Sequence, residues 1–263
     1  MANEKDIQRA AEYDFNFISR KQKKHVKMVE NSVKKLQDNI MTMMSDLPKK
    51  NGNLIGLKTS IKQAQKIHKD INKIFETEWS ASTRKVIDDF QDASKMIEKS
   101  FSIVGESVTF TGLDKTSMKI LGDGMWQDYL NVGVQKRDMV VQAMYDQIIA
   151  GGPYSNLINT IQAALQGSLS PAGRPLAQYA RLFARDGIMN FSNQVTLKKA
   201  EEIGIKHFLY VGNIIATSRK FCKTRAGKVY TKKQIDGWKF KWSGKSGPAY
   251  THRGGYNCRH HWR

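Results

Sequence analysis

The densest set of metal-capable residues lies near the end of the chain: Cys222, then His252, Cys258, His260 and His261. Cysteine and histidine together can build a tetrahedral zinc site, and a zinc ion would stabilise a small module short of aliphatic core. The candidate ligands of such a structural site are Cys222, His252, Cys258 and His260. Their spacing fits no standard zinc finger, because Cys222 and Cys258 stand 36 residues apart and neither belongs to a Cys-x-x-Cys pair. A Cys222–Cys258 disulfide is the second reading and would need an oxidising medium. Ordinary packed thiols beside basic histidines are the third. A metal held by histidines could also serve a nuclease, since metal-bound water attacks phosphodiesters. His260 and His261 could nominally act there, but almost no acidic residue accompanies them, which argues against magnesium.

No other catalytic signature is present. The chain has no P-loop, no GxGxxG after a strand, no GxSxG and no HExxH. The carboxylate pairs Asp88-Asp89 and Glu201-Glu202 fall on expected helix surfaces and do not converge. No catalytic residue is assigned, and the chain is read as a non-enzyme.

The second chemistry is cationic. Lys and Arg number 43 against 24 Asp and Glu, a net charge of +19. Such an excess points to a polyanionic partner, and nucleic acid is the obvious one. An acidic protein surface or an anionic membrane is the competing reading. From Thr217 to Arg263 there are thirteen basic residues, and Asp236 is the only acid. A second basic cluster runs from Arg20 to Lys35 with Glu30 as its only acid, on a stretch expected to be helical. There a solvated face and polyanion contact are equally open. The candidate nucleic-acid contacts are Arg20, Lys21, Lys23, Lys24, Arg219, Lys220, Lys223, Arg225, Lys228, Lys239, Lys241, Lys245, Arg253 and Arg259. Trp238, Trp242 and Trp262 sit among the C-terminal cations. They could stack on bases, but the favoured reading is the core of a small domain.

The elements that must carry these residues follow from periodicity. Val26, Val29, Val33, Leu36, Ile40, Met43 and Leu47 form an a/d seam, in a helical hairpin or a dimer. Pro48 to Asn53 reads as stop and turn. The pattern resumes with Leu54, Leu57, Ile61, Ala64, Ile67, Ile71 and Ile74. A third helix, capped by Ser82 or Thr83, would bury Val86, Phe90, Ala93, Ile97 and Phe101. Ser107–Thr111 alternates like a short strand, and Gly112, Gly122 and Gly124 suggest a loop region. Helices are expected over about 137–150, 154–166 and 176–203, the last capped by Gly204. Strands are expected at His207–Val211, Gly227–Tyr230 and Trp238–Trp242.

The expectation is an α+β protein, a mostly α-helical body with long amphipathic N-terminal helices and a small β-containing C-terminal module. Its segments would be a long-helix hairpin or arm at 1–104, a helical body at 105–205 and a basic Cys/His/Trp module at 206–263. Apolar residues at 40% allow a real core, and no stretch approaches a membrane span. Met1–Asp6 is polar with no apolar signal core behind it, so a soluble protein made in a cytosol is expected. Two cysteines exclude a disulfide-rich secreted scaffold.

One longer pattern joins these pieces. It runs Thr217-Ser218-Arg219-Lys220-Phe221-Cys222, then Gly227-Lys228-Val229-Tyr230, Ile235, Trp238 and Trp242, and closes with Gly254-Gly255-Tyr256-Asn257-Cys258-Arg259-His260. It resembles the C-terminal motif of the minor head (head morphogenesis) proteins of tailed bacteriophages, the Mu F-like group. The likeness covers roughly residues 175–263 and rests on ordered spacing, while the first 170 residues share only long helices. The chain lacks the paired cysteines of that group's Cys-x-x-Cys variant. The resemblance implies a structural virion protein of the head interior or portal vertex, present in host cytoplasm during assembly. Its partners would be the portal or major capsid protein and, without sequence preference, packaged double-stranded DNA. A metal-dependent nuclease or toxin-like effector carried in the head is one alternative. A cellular non-specific nucleic-acid-binding adaptor is the other.

Overall fold

The computed structural model describes residues 4–55, 58–167, 174–238, 241–242, 245–246, 248–255 and 258–263. It is a mostly helical α+β fold. Among the described residues, no helix is long and apolar enough to cross a membrane. The chain divides into two compact units. One combines 1–24, 88–123 and 184–263, the other 25–87 and 124–183. Neither unit coincides with the three segments read along the sequence.

Helix α1 spans Glu4–Ser45. Within the second unit its buried stripe runs His25, Val29, Val33, Leu36, Ile40, Met44 and Leu47. The seam expected from heptads therefore shifts at two positions, from Val26 to His25 and from Met43 to Met44. A heptad seam drifts on a straight helix of 3.6 residues per turn, and the burial follows the helix. The stripe is covered by the chain itself, as in the hairpin reading. After Pro48, Asn51 and Gly52 both take positive φ and close a tight hairpin between β1 (Lys49–Lys50) and β2 (Asn53–Leu54). The Leu54 amide donates to the Gly152 carbonyl at 2.9 Å, which pins this turn to the one that ends α5.

Helix α2 (Lys58–Ile74) carries Ala64, Ile67 and Ile71 inward, but Ile61 is exposed and Ser60 takes the buried position. Leu57 lies outside the described residues. No cap interrupts the chain at Ser82 or Thr83. A π-helical stretch, Phe75–Ser80, leads directly into α3 (Ala81–Asp88). The Thr83 hydroxyl donates back to the Trp79 carbonyl at 2.9 Å, a bond made inside a helix rather than at its start. A short 3-10 stretch, Asp89–Asp92, then leads to α4 (Ala93–Ile103). Val86, Phe90, Ala93, Ile97 and Phe101 are all buried, as expected.

Two expectations fail next. Ser107–Thr111 forms no strand, and the glycine-punctuated region is the 39-residue helix α5, Gly112–Ala150. Thr111 and Asp114 start that helix reciprocally: the Asp114 amide donates to Thr111 Oγ1, and the Thr111 amide donates to the Asp114 carboxylate. The alternation at 107–111 is the approach to this cap. Helices α6 (Tyr154–Leu165) and α7 (Leu176–Glu202) follow, and Gly204 leaves α7 with φ of 77°.

Within the first unit, β3 (His207–Val211) is the middle strand of an antiparallel sheet. It lies between β4 (Val229–Thr231) and β7 (His261–Trp262). Helix α8 (Lys220–Arg225) precedes β4, and α9 (Lys232–Asp236) follows it with a Thr231–Gln234 capping box. A second hairpin pairs β5 (Lys241–Trp242) with β6 (Lys245–Ser246), and α10 (Ala249–His252) precedes the final segment. The expected strand at Trp238–Trp242 is thus present as Lys241–Trp242, while residues 239–240 lie outside the description.

Candidate functional site

The C-terminal module is built on aromatic packing around Trp262, which is fully buried. Its ring lies 4.4 Å from Tyr210, 5.9 Å from Trp238 and 5.9 Å from Tyr250 by centroid. Trp238 meets Tyr230 edge-on at 4.8 Å. Trp262 is core and Trp238 packs half-buried against it, as the sequence favoured, because the module offers few aliphatic side chains to exclude water, while the side chain of Trp242 lies outside the described residues. Arg225 lies over Phe221 and Trp238 at 4.1 and 4.2 Å, so its guanidinium is part of the same packing.

Against this core, Cys222 from α8 meets Cys258 and His260 from the closing segment. The Cys222 and Cys258 sulfurs are 3.6 Å apart, and Cys258 Sγ is 3.8 Å from His260 Nδ1. One donor atom from each of the three lies within 4.8 Å of the others, and all three residues are buried. Tyr210, on the central strand, places its hydroxyl 3.5 Å from each sulfur. His252 stands outside this convergence, at the end of α10. Spacing had marked Cys222, His252, Cys258 and His260; the fold keeps three of them and adds Tyr210.

Two glycines let the groups approach. A Cβ on Gly254 would stand 2.3 Å from Cys222 Sγ and 3.0 Å from Cys258 Sγ. A Cβ on Gly212, whose φ is 147°, would stand 2.7–2.9 Å from the ring and Cα of His260. The Gly254 amide donates to Cys258 Sγ at 3.3 Å. In the sequence Gly254 opens the closing motif, and the fold sets it against both sulfurs. Tyr210 was missed, although the inward alternation of Phe208 and Tyr210 on β3 was its signal.

The electrostatics separate the two thiols. The Cys258 pKa falls well below the ordinary thiol range because Cys222 donates to it, with His260 and Arg253 adding to the effect against burial. That same bond, with burial, pushes Cys222 up. Burial, then the neighbouring sulfurs, pushes the Tyr210 phenol up. Burial and the Arg253 charge bring His261 down to about 4, so it is neutral near pH 7. The arrangement can coordinate a soft cation or, with an oxidant, form a disulfide.

The cations differ in exposure and in the carboxylates they meet. Arg20, Lys23, Lys220, Lys223, Lys228 and Arg259 are exposed, and Arg219 is half-buried. Lys21 is held by Asp92 at 2.7 Å and Asp89 at 3.1 Å, and Lys24 by Asp89 at 2.8 Å. Arg253 is 1% exposed and so is not positioned to meet a phosphate on the surface. Lys241 and Lys245 lie on the facing strands β5 and β6, while Lys239 lies outside the described residues.

Compared with known proteins, the chain matches no family model, no curated protein and no solved structure.

Proposed function

We propose that this chain is a structural component of a tailed-phage virion. In this reading it is a minor head protein at the portal vertex or capsid interior that touches packaged DNA without sequence preference. One observation carries the reading. The pieces of the Mu F-like pattern, scattered from Arg219 to His260, close into a single module. Cys222 meets Cys258 at 3.6 Å, Tyr230 meets Trp238, and Gly254 packs on both sulfurs. Such a pattern constrains one folded unit rather than a chance run of similar residues.

The net charge of +19 supports enclosure with DNA, because counterion release supplies affinity for any duplex. The exposed lysines Lys220, Lys223 and Lys228 offer that contact on the module itself. A nuclease gains no support from the site. His260 and His261, its nominal catalytic residues, are 4% and 3% exposed and out of reach of a phosphodiester. The portal or major capsid protein is the proposed protein partner, met during assembly in the host cytoplasm.

The test is mass spectrometry of purified DNA-filled particles with cryo-EM of the portal vertex, reconstructed without imposed capsid symmetry. The expected result is this chain in the particles, with density at the portal or inner shell. Its absence from purified particles overturns the reading.

A further inference from the structure

We infer that Cys222, Cys258 and His260 hold a structural zinc ion, with the Tyr210 hydroxyl closing the fourth position. A tetrahedral zinc with bonds of about 2.3 Å to sulfur and about 2.0 Å to nitrogen or oxygen sets its ligands roughly 3.5–3.8 Å apart. The sulfur–sulfur distance here is 3.6 Å, and Cys258 Sγ to His260 Nδ1 is 3.8 Å. Tyr210 Oη stands 3.5 Å from each sulfur. Four of the six separations among these donors, from α8, the closing segment and β3, thus match tetrahedral edges, and the Cys222 and His260 donors lie within 4.8 Å of each other.

The donor types select the cation. Two sulfurs and an imidazole suit zinc, whereas magnesium and calcium need carboxylates, and no carboxylate belongs to this group. The Gly254 amide points at Cys258 Sγ, a hydrogen bond that favours a thiolate over a thiol. A disulfide would need the sulfurs to close from 3.6 Å to about 2.05 Å, away from the distance at which Tyr210 now bridges them.

The closed geometry also sets the role. A catalytic zinc keeps a position open to water or substrate. Here Tyr210 is wholly buried over that position, and Cys222, Cys258 and His260 are buried around it. The ion would tie α8 to the closing segment across the central strand, in a module whose sheet has strands of five, three and two residues. The inference concerns the same module as the virion reading but does not rest on it.

The test uses the full chain, produced with added zinc and purified without chelator. Metal analysis should find about one zinc per chain, and X-ray absorption should show two sulfur and two lighter ligands. Cys222→Ser and Cys258→Ser should lose the ion, while His252→Ala should keep it. Tyr210→Phe should retain zinc with affinity reduced about 10–100-fold. If the cysteine variants do not fold, the wild-type content and the spectrum of the cobalt-substituted protein still decide. Less than about a tenth of an equivalent of zinc after equilibration and desalting overturns the inference. So does an intact Cys222–Cys258 disulfide in the protein as isolated.

Discussion

The Asp114 carboxylate and the Lys199 ammonium meet 2.7 Å apart, both buried, and join the start of α5 to the end of α7. Asp114 also accepts from the Thr111 amide and hydroxyl at 2.8 Å, and Lys199 reaches Glu202 at 2.8 Å. The Lys199 bond, then Thr111, holds the Asp114 carboxyl far below the ordinary carboxylate range despite burial. Burial acts to lower the Lys199 pKa, but its bonds to Asp114 and Glu202 outweigh this and the net direction is up.

Removing one partner leaves the other with a weaker one, Glu202 for Lys199 and Lys198, at 3.4 Å, for Asp114. Asp114→Asn or Lys199→Met should therefore cost about 1.5–3 kcal/mol, read as a lower urea midpoint at pH 7. The pH dependence has a definite sign. A carboxyl with a depressed folded pKa stabilises the fold above its unfolded value, near 4. That contribution falls away as pH drops below about 4 toward the folded value. Asp114→Asn should flatten this acid limb, and an unchanged limb would assign the acid sensitivity to other carboxylates.

Two glycines of α5 should respond with opposite signs. A Cβ on Gly133 would stand 2.3 Å from the Trp79 indole, which is 2% exposed and donates to the Tyr129 carbonyl at 3.2 Å. Gly133→Ala should cost about 1–3 kcal/mol through overpacking, more than its gain in helix propensity. Gly124 has nothing within 4 Å of the same added atom, so Gly124→Ala should stabilise by up to about 1 kcal/mol. Thermal melts of the two variants side by side check this, and a shift of the same sign for both would refute it.

DNA contact through the module should appear as a salt slope. Replacing Lys220, Lys223 and Lys228 with glutamate should weaken duplex binding at low salt. Each lost phosphate contact should flatten the log–log slope by about 0.9. Because the term is electrostatic, the loss should be equal on unrelated sequences. Binding that is unchanged at every ionic strength would remove this face from the DNA interface.

The outline of the fold was legible because long helices leave a periodic trace. Val29, Val33, Leu36 and Ile40 are buried where the spacing put them, and Asn51-Gly52 closes the turn its residue types favour. What misled was local chemistry serving a distant partner. Gly112, Gly122 and Gly124 read as punctuation of a loop, yet all three lie in α5. Thr109 and Thr111 read as strand residues, yet Thr111 is the cap of a helix. At the candidate site the thiols and His260 were legible as metal-capable types. Tyr210 was not, because a tyrosine in a strand carries no ligand signature. His252 shares the ligand type, but it lies at the end of α10, outside the group that converges.

Arg253 takes φ of 51° and Gly255 φ of 91°, and between them Gly254 lays bare backbone against both sulfurs. Gly254→Ala would drive a methyl group into Cys222 Sγ, and neither sulfur can retreat without moving α8 or the closing segment. The variant should lose about 1–3 kcal/mol of stability. Its thiols should also react with a polar disulfide reagent under native conditions, where the buried wild-type thiols are slow. Gly255→Ala serves as the comparison, since it strains the same turn through its φ of 91°. If both variants lose stability but only Gly254→Ala frees the thiols, the close approach at Gly254 is what keeps Cys222 and Cys258 together. Equal thiol reactivity in the two would assign that role to the turn as a whole.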